Sequence, residues 1–326
     1  MKKFRLDYKT FNHRFILKIL LTGSSGFLGK NICEQYWRLE KNKNFRLYNP
    51  TSKDLNLLDK ESVKKYLKSI CPDLIIHSAG VVGGIQANIA HPVKFMTVNT
   101  IMANSLISSA YEVGIPYLLN IGSSCMYPKD ASSPLKEDYL FKGLCEPTNE
   151  GYAISKLYAQ RLCQYINLEQ GTHNYKTIIP CNLYGRWDTF SKEKSHMIPA
   201  AISKIHEAKI NNSNEVLVWG NGTARRENMF ASDIAGFILG IIKKFNLLPD
   251  IMNIGMGVDH SVIDYYRYIS KIIGYQGKMV YDNNKPEGIK QKLVCIKRQQ
   301  EVGWMPETDI VRGLNITYEF FKKHYA

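Results

Sequence analysis

The sequence predicts an α/β fold, a doubly wound parallel sheet with a smaller C-terminal lobe. Short apolar segments of strand length alternate with helical stretches from about residue 16 to residue 180. A glycine-rich turn directly follows the first apolar segment, and the length of 326 residues with 44% hydrophobic residues is enough for a full core. Strands that alternate with helices indicate βαβ units, and therefore a parallel sheet covered on both faces.

The first half of the chain is predicted to contain five strands separated by helices. In chain order the strands are ILKILLT, FRLYN, DLIIHSA, YLLNIGS and YKTIIPC. Helices are expected to start near residues 26, 60, 92 and 152, with right-handed crossovers between parallel strands.

The alternation ends after residue 185. Polar loops then surround the predicted helix MIPAAISKIHEAK, the strand EVLVWG and a terminal helix near 307–324. We therefore expect a basic N-terminal extension over 1–16, a sheet domain over 17–185 and a lobe over 186–326, with some of the lobe's segments returning to the main sheet.

Composition excludes several classes of protein. The net charge of +14 is spread along the chain without a run of five basic residues, which favours a phosphate-bearing ligand over nucleic acid. Seven cysteines without a CxxC pair predict reduced thiols in the cytoplasm and no disulfide framework or metal site. The longest apolar runs, FILKILL and IAGFILGII, are shorter than a membrane span, and the N-terminus lacks the features of a signal peptide.

The first turn, GSSGFLG, places Gly23, Gly26 and Gly29 between a strand and a helix. Glycines there permit a tight turn and let backbone amides approach a pyrophosphate at the positive end of the helix. We therefore expect residues 17–185 to form an NAD(P)-binding Rossmann domain.

The end of the second strand should help to distinguish NAD from NADP. The segment YNPTSKD has neutral Asn49 and Ser52, with Lys53 beside them, where an NAD site has a carboxylate. NADP(H) is therefore favoured, and NAD(H) remains the alternative. Asp59 either accepts a hydrogen bond from the adenine or caps the following helix.

The segment GYAISK places Tyr152 and Lys156 four residues apart on one helix face. A nearby ammonium would lower the pKa of the phenol and make it a workable acid or base. After the fourth strand, GSSCMYPKD contains Ser123 and Cys125, which would share one face if the segment were extended. Cys125 is either a packing residue or part of the same site.

The glycine turn, Ser123 and the YxxxK pair together resemble the extended short-chain dehydrogenases/reductases. Within that superfamily the chain resembles the GDP-L-fucose synthase family from about residue 17 to the C-terminus. Members of that family are GDP-4-keto-6-deoxy-mannose 3,5-epimerase/4-reductases. The strings that carry this resemblance are VVGGIQANIAHP, GSSCMYPK, EPTNEGYAISK, NLYG, SHMIPA, VWGNGTARRE and GVD.

The resemblance implies NADP(H)-dependent reduction of the 4-keto group of a GDP-linked 4-keto-6-deoxy sugar. The sugar is either the hexose that gives GDP-L-fucose or a related heptose, with 3,5-epimerisation retained or lost. It also implies nucleotide-sugar biosynthesis for a surface polysaccharide such as a capsule, a homodimer formed through a helical face, and a substrate-binding role for the lobe of residues 186–326.

The same resemblance implies the site residues. The catalytic set is Tyr152 as proton donor, Lys156 as its electrostatic partner, Ser123 as hydrogen-bond donor to the 4-oxygen, and Cys125 with His196 as the epimerising acid/base pair. The substrate contacts are Ser123, Asn182, His196, Lys204, Trp219 and Arg226. The cofactor contacts are Gly23, Ser24, Ser25, Gly26, Phe27, Leu28, Gly29, Ser52, Lys53, Leu57, Asp59, Ala79, Ile121, Gly122, Lys156, Pro180 and Leu183.

The sequence also departs from the family pattern. Ser25 and Ser52 stand where typical members have arginines for the 2′-phosphate, and NMFASD replaces a string like FLHVDD after Glu227. An NAD-retaining nucleotide-sugar 4-epimerase or dehydratase is the alternative enzyme. A dinucleotide-sensing or nucleic-acid-binding protein would leave the serine, tyrosine and lysine set unexplained.

Overall fold

The computed structural model describes residues 16–39, 45–191, 195–284 and 288–326. The predicted N-terminal extension therefore lies, apart from Ile16, outside the described residues. The strands are β1 Leu17–Thr22, β2 Phe45–Tyr48, β3 Leu74–His77, β4 Tyr117–Ile121, β5 Tyr175–Pro180, β6 Asn182–Tyr184, β7 Glu215–Trp219, β8 Arg225–Arg226, β9 Asn228–Phe230, β10 Ile251–Ile254, β11 His260–Ser261, β12 Lys278–Asp282 and β13 Gln291–Lys292. The helices are α1 Phe27–Arg38, α2 Lys60–Ile70, α3 Ile85–Ala90, α4 Pro92–Glu112, α5 Glu150–Gln170, α6 Met197–Ile210, α7 Ala231–Ile241, α8 Val262–Ile273, α9 Lys297–Glu301 and α10 Ile310–His324.

A six-stranded parallel sheet forms the centre of the fold, in the order β10-β5-β4-β3-β1-β2. The predicted α/β fold class is confirmed, and the five predicted strands are β1 to β5. The strand order reverses between β1 and β3, so the carboxyl ends of these two strands border the crevice in which α/β sheets bind ligands.

Both faces of the sheet are buried, which explains the continuous apolar runs of its strands. In β1, Ile19 and Leu21 pack in the core between the sheet and the helices α1 and α7, whereas Leu20 packs in the opposite core with α2, α4 and α5. The alternation along β1 is the period of two expected of a strand.

A third core lies in the C-terminal part of the chain. It is formed mainly by α6, α8, α10 and β7, with aromatic side chains such as Tyr265 and Phe321 at its centre. The predicted helix at 197–209, strand at 215–220 and terminal helix correspond to α6, β7 and α10.

Two elements from the C-terminal half belong to the main sheet layers. Strand β10 pairs with β5, and α7 packs in the same core as α1. The division of the chain at residue 185 stays a prediction. Over the described ranges, no helix is long and apolar enough to cross a membrane.

Candidate active site

The glycine turn after β1 is built for close backbone approach. Gly23 has φ of +75°, and a Cβ added there would lie 2.6 Å from the backbone nitrogen of Ala79, just beyond β3. A Cβ on Gly29 would lie 2.0 Å from the carbonyl oxygen of Gly23. Helix α1 starts after Gly26 without a side-chain cap, so no capping side chain satisfies its first amides. This cradle fits a dinucleotide pyrophosphate.

The predicted cofactor contacts cluster at the carboxyl ends of the parallel strands or in the segments that follow them. Some of them make structural contacts in addition. The buried Ser24 hydroxyl donates to the carbonyl oxygens of Asn49 and Pro50, at 3.0 and 3.1 Å, and so joins the glycine turn to the end of β2. Leu57 is buried in the core beside α2. Ser52 and Lys53 are exposed.

Asp59 takes the second of its two predicted roles. Its carboxylate accepts hydrogen bonds from the backbone N–H groups of Glu61 and Ser62, at 3.1 and 3.2 Å, and caps α2. A contact with adenine stays a prediction.

Ser123, Tyr152 and Lys156 meet where β4 ends. The Lys156 ammonium donates to the carbonyl oxygen of Ile121 at 2.9 Å, and its Nζ lies 5.9 Å from the centre of the Tyr152 ring. Burial lowers the pKa of Lys156 to about 8. The set predicted from the sequence is therefore brought together at one strand end.

The pKa of Tyr152 shifts in the direction opposite to the one predicted from its spacing to Lys156. Burial raises the pKa of the phenol, the nearby Cys125 adds to the rise, and a hydrogen bond with Ser123 lowers it by a smaller amount. Desolvation outweighs the effect expected from the lysine. The phenol is consequently protonated at neutral pH, as a proton donor must be.

The segment after β4 is not extended, contrary to the prediction. Residues Ser124–Met126 form a turn of 3-10 helix, and the Ser123 hydroxyl accepts a hydrogen bond from the backbone N–H of Cys125 at 3.3 Å. Ser124 and Met126 are buried, whereas Ser123 and Cys125 are both partly accessible. Ser123 and Cys125 are therefore accessible together because the Ser123 side chain caps the 3-10 turn, not because side chains alternate along a strand.

Two nitrogen donors that the sequence argument did not identify reach the sulfur of Cys125. The Lys292 ammonium lies 3.3 Å from Sγ, and the side-chain amide of Asn149 lies 3.5 Å from it. Asn149 could have been identified from the sequence, because it lies within the string EPTNEGYAISK that carries the family resemblance. Lys292 had none, because it is 167 positions away from Cys125 along the chain.

His196 precedes the first residue of α6; the residue is exposed at its edge, but its imidazole is surrounded by enough protein to be desolvated. Desolvation lowers the pKa of its imidazole, and the positive charge of Lys292 lowers it further. Lys292 is thus electrostatically linked to both members of the predicted acid/base pair.

The predicted nucleotide contacts lie on α6, β7 and β8. The Lys204 ammonium is 5.0 Å from the centre of the Trp219 ring and donates to the carbonyl oxygen of Leu217 at 3.3 Å. Arg226 donates to the carbonyl oxygen of Ile289 at 2.6 Å. Asn182 starts β6 and pairs in register with Asn228 of β9.

Glu227, next to Arg226, is a further residue that the sequence argument missed. It is 1% exposed, and its carboxylate accepts the backbone N–H groups of Met256, Gly257 and Val294 at 2.7, 2.8 and 2.9 Å. Burial raises the pKa of Glu227 to about 7. These hydrogen bonds connect the residue after β8 to the segments that follow β13 and β10.

Residues 19–255 match the NAD dependent epimerase/dehydratase family, which covers more than half of the chain. The chain belongs to this family. It is 47% identical to the GDP-L-colitose synthase of Yersinia pseudotuberculosis over 94% of this chain and 98% of that protein. It is 42% identical to the GDP-L-fucose synthase of Azorhizobium caulinodans over 93% of this chain and 96% of that protein.

Among solved structures, the chain is similar to a GDP-mannoheptose C4 reductase from Campylobacter jejuni with NADP bound. The TM-score is 0.82 at 26% identity, and the match covers 94% of this chain and 98% of that chain. The two relatives in sequence and the solved structure therefore each match this chain over nearly its whole length.

Proposed function

We propose that this chain reduces the 4-keto group of a GDP-linked 4-keto sugar, with NADP(H) as the cofactor. One observation carries the proposal: Ser123, Tyr152 and Lys156 converge at the end of β4, beside a glycine cradle that fits a dinucleotide. The relatives named for GDP-L-colitose, GDP-L-fucose and GDP-mannoheptose chemistry support the sugar class.

The protein's own side chains account for the proton chemistry. NADP(H), when bound, supplies the hydride that converts the ketone to an alcohol. Tyr152 holds a proton on its phenol at neutral pH and delivers it to the developing alkoxide. The Ser123 hydroxyl polarises the same oxygen. Lys156, with a lowered pKa, is suited to replacing the proton that Tyr152 loses.

NADPH is favoured over NADH because the end of β2 lacks the carboxylate of an NAD site. Ser52 is neutral, Lys53 carries a positive charge, and both are exposed to a 2′-phosphate. The NADP bound to the Campylobacter jejuni reductase supports the same choice.

The test measures loss of NADPH absorbance with a panel of GDP-linked 4-keto sugars: the hexose that leads to L-fucose, the precursor of L-colitose, and heptoses. We expect Tyr152→Phe to lower kcat by about 10²–10⁴-fold, the range for a lost general acid. Tyr158→Phe is the matched control, since Tyr158 is exposed on the same helix. The absence of turnover with every sugar in the panel, or tightly retained NAD in the purified protein, would refute the proposal.

The same site is proposed to exchange the protons on the carbons next to the ketone, as 3,5-epimerisation requires. A base on one side of the sugar and an acid on the other are needed, and Cys125 and His196 have suitable chemistry. Turnover in deuterated water followed by NMR of the product measures the exchange. A product without deuterium at C3 and C5 would make the protein a reductase only.

A homodimer is proposed through α4 and α5. On α5, four exposed apolar residues are three, four or seven positions apart and therefore share one face. The exposed apolar residues of the two helices are Val93, Met96, Ile101, Ile154, Tyr158, Tyr165 and Leu168. Light scattering should show that Leu168→Glu lowers the molar mass to that of a monomer, whereas Leu247→Glu, at an exposed leucine elsewhere, does not.

We also place the reaction in the cytoplasm, in nucleotide-sugar biosynthesis for a surface or capsular polysaccharide. All seven cysteines are free in the structure, which fits a reducing compartment. Deletion of the coding sequence should abolish the corresponding sugar in the polysaccharide. An unchanged sugar composition would contradict this placement.

A further inference from the structure

The sulfur of Cys125 lies at the meeting point of two donors. The Lys292 ammonium is 3.3 Å away and the Asn149 amide is 3.5 Å away. A neutral thiol is a weak acceptor, whereas a thiolate accepts strongly from an ammonium. The arrangement is therefore complementary to a negatively charged sulfur.

Lys292 is the charged group in this arrangement. Tyr152 and Cys145 also face Cys125, but burial raises the pKa of both, in Cys145 to about 11, so each is neutral near pH 7. Among the described residues, no carboxylate forms an ion pair with Lys292. The sulfur of Cys125 is thus a side-chain acceptor that the ammonium reaches.

The fold fixes the position of Lys292. Strand β13 pairs with β8 so that Lys292 is opposite Arg226. The carbonyl oxygen of Lys292 accepts the backbone N–H of Glu227 at 3.2 Å, and the Glu227 carboxylate accepts the N–H of Val294 at 2.9 Å. The backbone on both sides of the lysine is consequently held by a buried residue.

We propose that Lys292 is a positioning residue that holds the Cys125 sulfur as a thiolate at the sugar site. The inference rests on the proposed function, in which Cys125 removes a proton from a carbon next to the ketone. In that step the sulfur takes the proton, and the electron pair of the C–H bond moves toward the ketone oxygen to give an enolate. Lys292 supports the charged sulfur before the step and takes no proton itself.

Lys292 also makes His196 a better proton donor. Its positive charge adds to the desolvation that lowers the pKa of the imidazole. A protonated imidazole with a lowered pKa returns a proton to the enolate more readily. The ammonium thus favours the charged form of the Cys125 sulfur, and it makes a protonated His196 a stronger acid while lowering the fraction of His196 that is protonated.

The first test measures the rate at which iodoacetamide alkylates Cys125 in the intact protein between pH 5 and 10, by peptide mass spectrometry. Exposed Cys71 serves as the internal reference in the same digest. In Lys292→Met we expect the midpoint of the rate profile to move upward by about one unit or more, the range for a lost opposite charge. Lys292→Arg keeps a cation and should restore most of the shift.

Lys290→Met is the matched control, because it removes an exposed positive charge two residues away that makes no contact with Cys125. A midpoint that moves equally in Lys290→Met and Lys292→Met, or does not move in Lys292→Met, would overturn the proposal. Circular dichroism and the unfolding temperature establish that each variant is folded.

The second test compares deuterium uptake at C3 and C5 with the rate of 4-keto reduction. We expect Lys292→Met to slow uptake at least ten-fold more than it slows reduction. A raised KM with equal loss of both rates would instead assign Lys292 to substrate binding beside Arg226 and overturn the proposal. If the wild-type protein takes up no deuterium, the proposed epimerisation fails, while the alkylation profile still decides whether Lys292 charges the sulfur.

Discussion

Glu227→Gln gives the most quantitative prediction, because the residue is almost fully buried and its surroundings are defined. Burial raises the pKa of the carboxyl from 4.5 to about 7. A raised pKa in the folded state favours the protonated form. The contribution of Glu227 to the free energy of unfolding is therefore complete below pH 4.5 and is lost as the pH rises through about 7.

The interval between the two pKa values corresponds to about 3 kcal/mol, at about 1.36 kcal/mol per unit. Nearly all of this change falls between about pH 4 and about pH 8. Glutamine does not titrate, so the variant lacks this dependence. Its NH₂ group also faces backbone donors at one of the two carboxylate oxygens, which lowers stability by an amount that does not vary with pH.

The assay is urea unfolding of the wild type and Glu227→Gln at a series of pH values. The difference between their free energies of unfolding should change by about 3 kcal/mol across the window, with the wild type losing its advantage as the pH rises. Titrating groups that do not interact with Glu227 cancel in this difference. A difference that stays constant from pH 5 to pH 8 would refute the assigned pKa and its cause.

Three further predictions concern the site. Gly29→Ala places a Cβ 2.0 Å from the carbonyl oxygen of Gly23 and should weaken NADPH binding more than ten-fold in a fluorescence titration. Gly236→Ala is the control, because a Cβ there meets open space and should leave the affinity unchanged. Equal affinities of the two variants would contradict the glycine cradle. Lys53→Ala should raise KM for NADPH about ten-fold and leave KM for NADH unchanged, as expected when a charge-assisted hydrogen bond to the 2′-phosphate is lost. Steady-state kinetics measures both constants. Lys68→Ala is the control, and an equal rise in that variant would show an effect of net charge alone. Cys125→Ser should reduce deuterium uptake, followed by NMR, far more than 4-keto reduction, and equal losses would make Cys125 a packing residue.

The central sheet was predictable because its physical cause is local. Strands buried on both faces must be apolar throughout, so β1, β3, β4 and β5 stand out as runs in the sequence. The positions of the candidate site residues at the strand ends were predictable for a related reason, since parallel strands bring their carboxyl ends to one edge. The glycine turn and the Tyr152–Lys156 spacing are likewise features of one short segment.

The sequence could not reveal contacts that depend on distant pairing. Lys292 reaches Cys125 only because β13 pairs with β8, two strands of two residues each with no recognisable periodicity. The turn after β4 was missed because a serine cap, not side-chain alternation, determines its conformation. The pKa of Tyr152 depends on burial, which the spacing of Tyr152 and Lys156 does not report.

The register of β13 against β8 also restricts how this chain tolerates insertions and deletions. Arg226 and Lys292 are direct partners, so a shift of one residue in β13 would turn the lysine to the opposite face and bring Gln291 or Leu293 into its place. An insertion or deletion in 288–290 that shifted this register would therefore separate the Lys292 ammonium from the sulfur of Cys125.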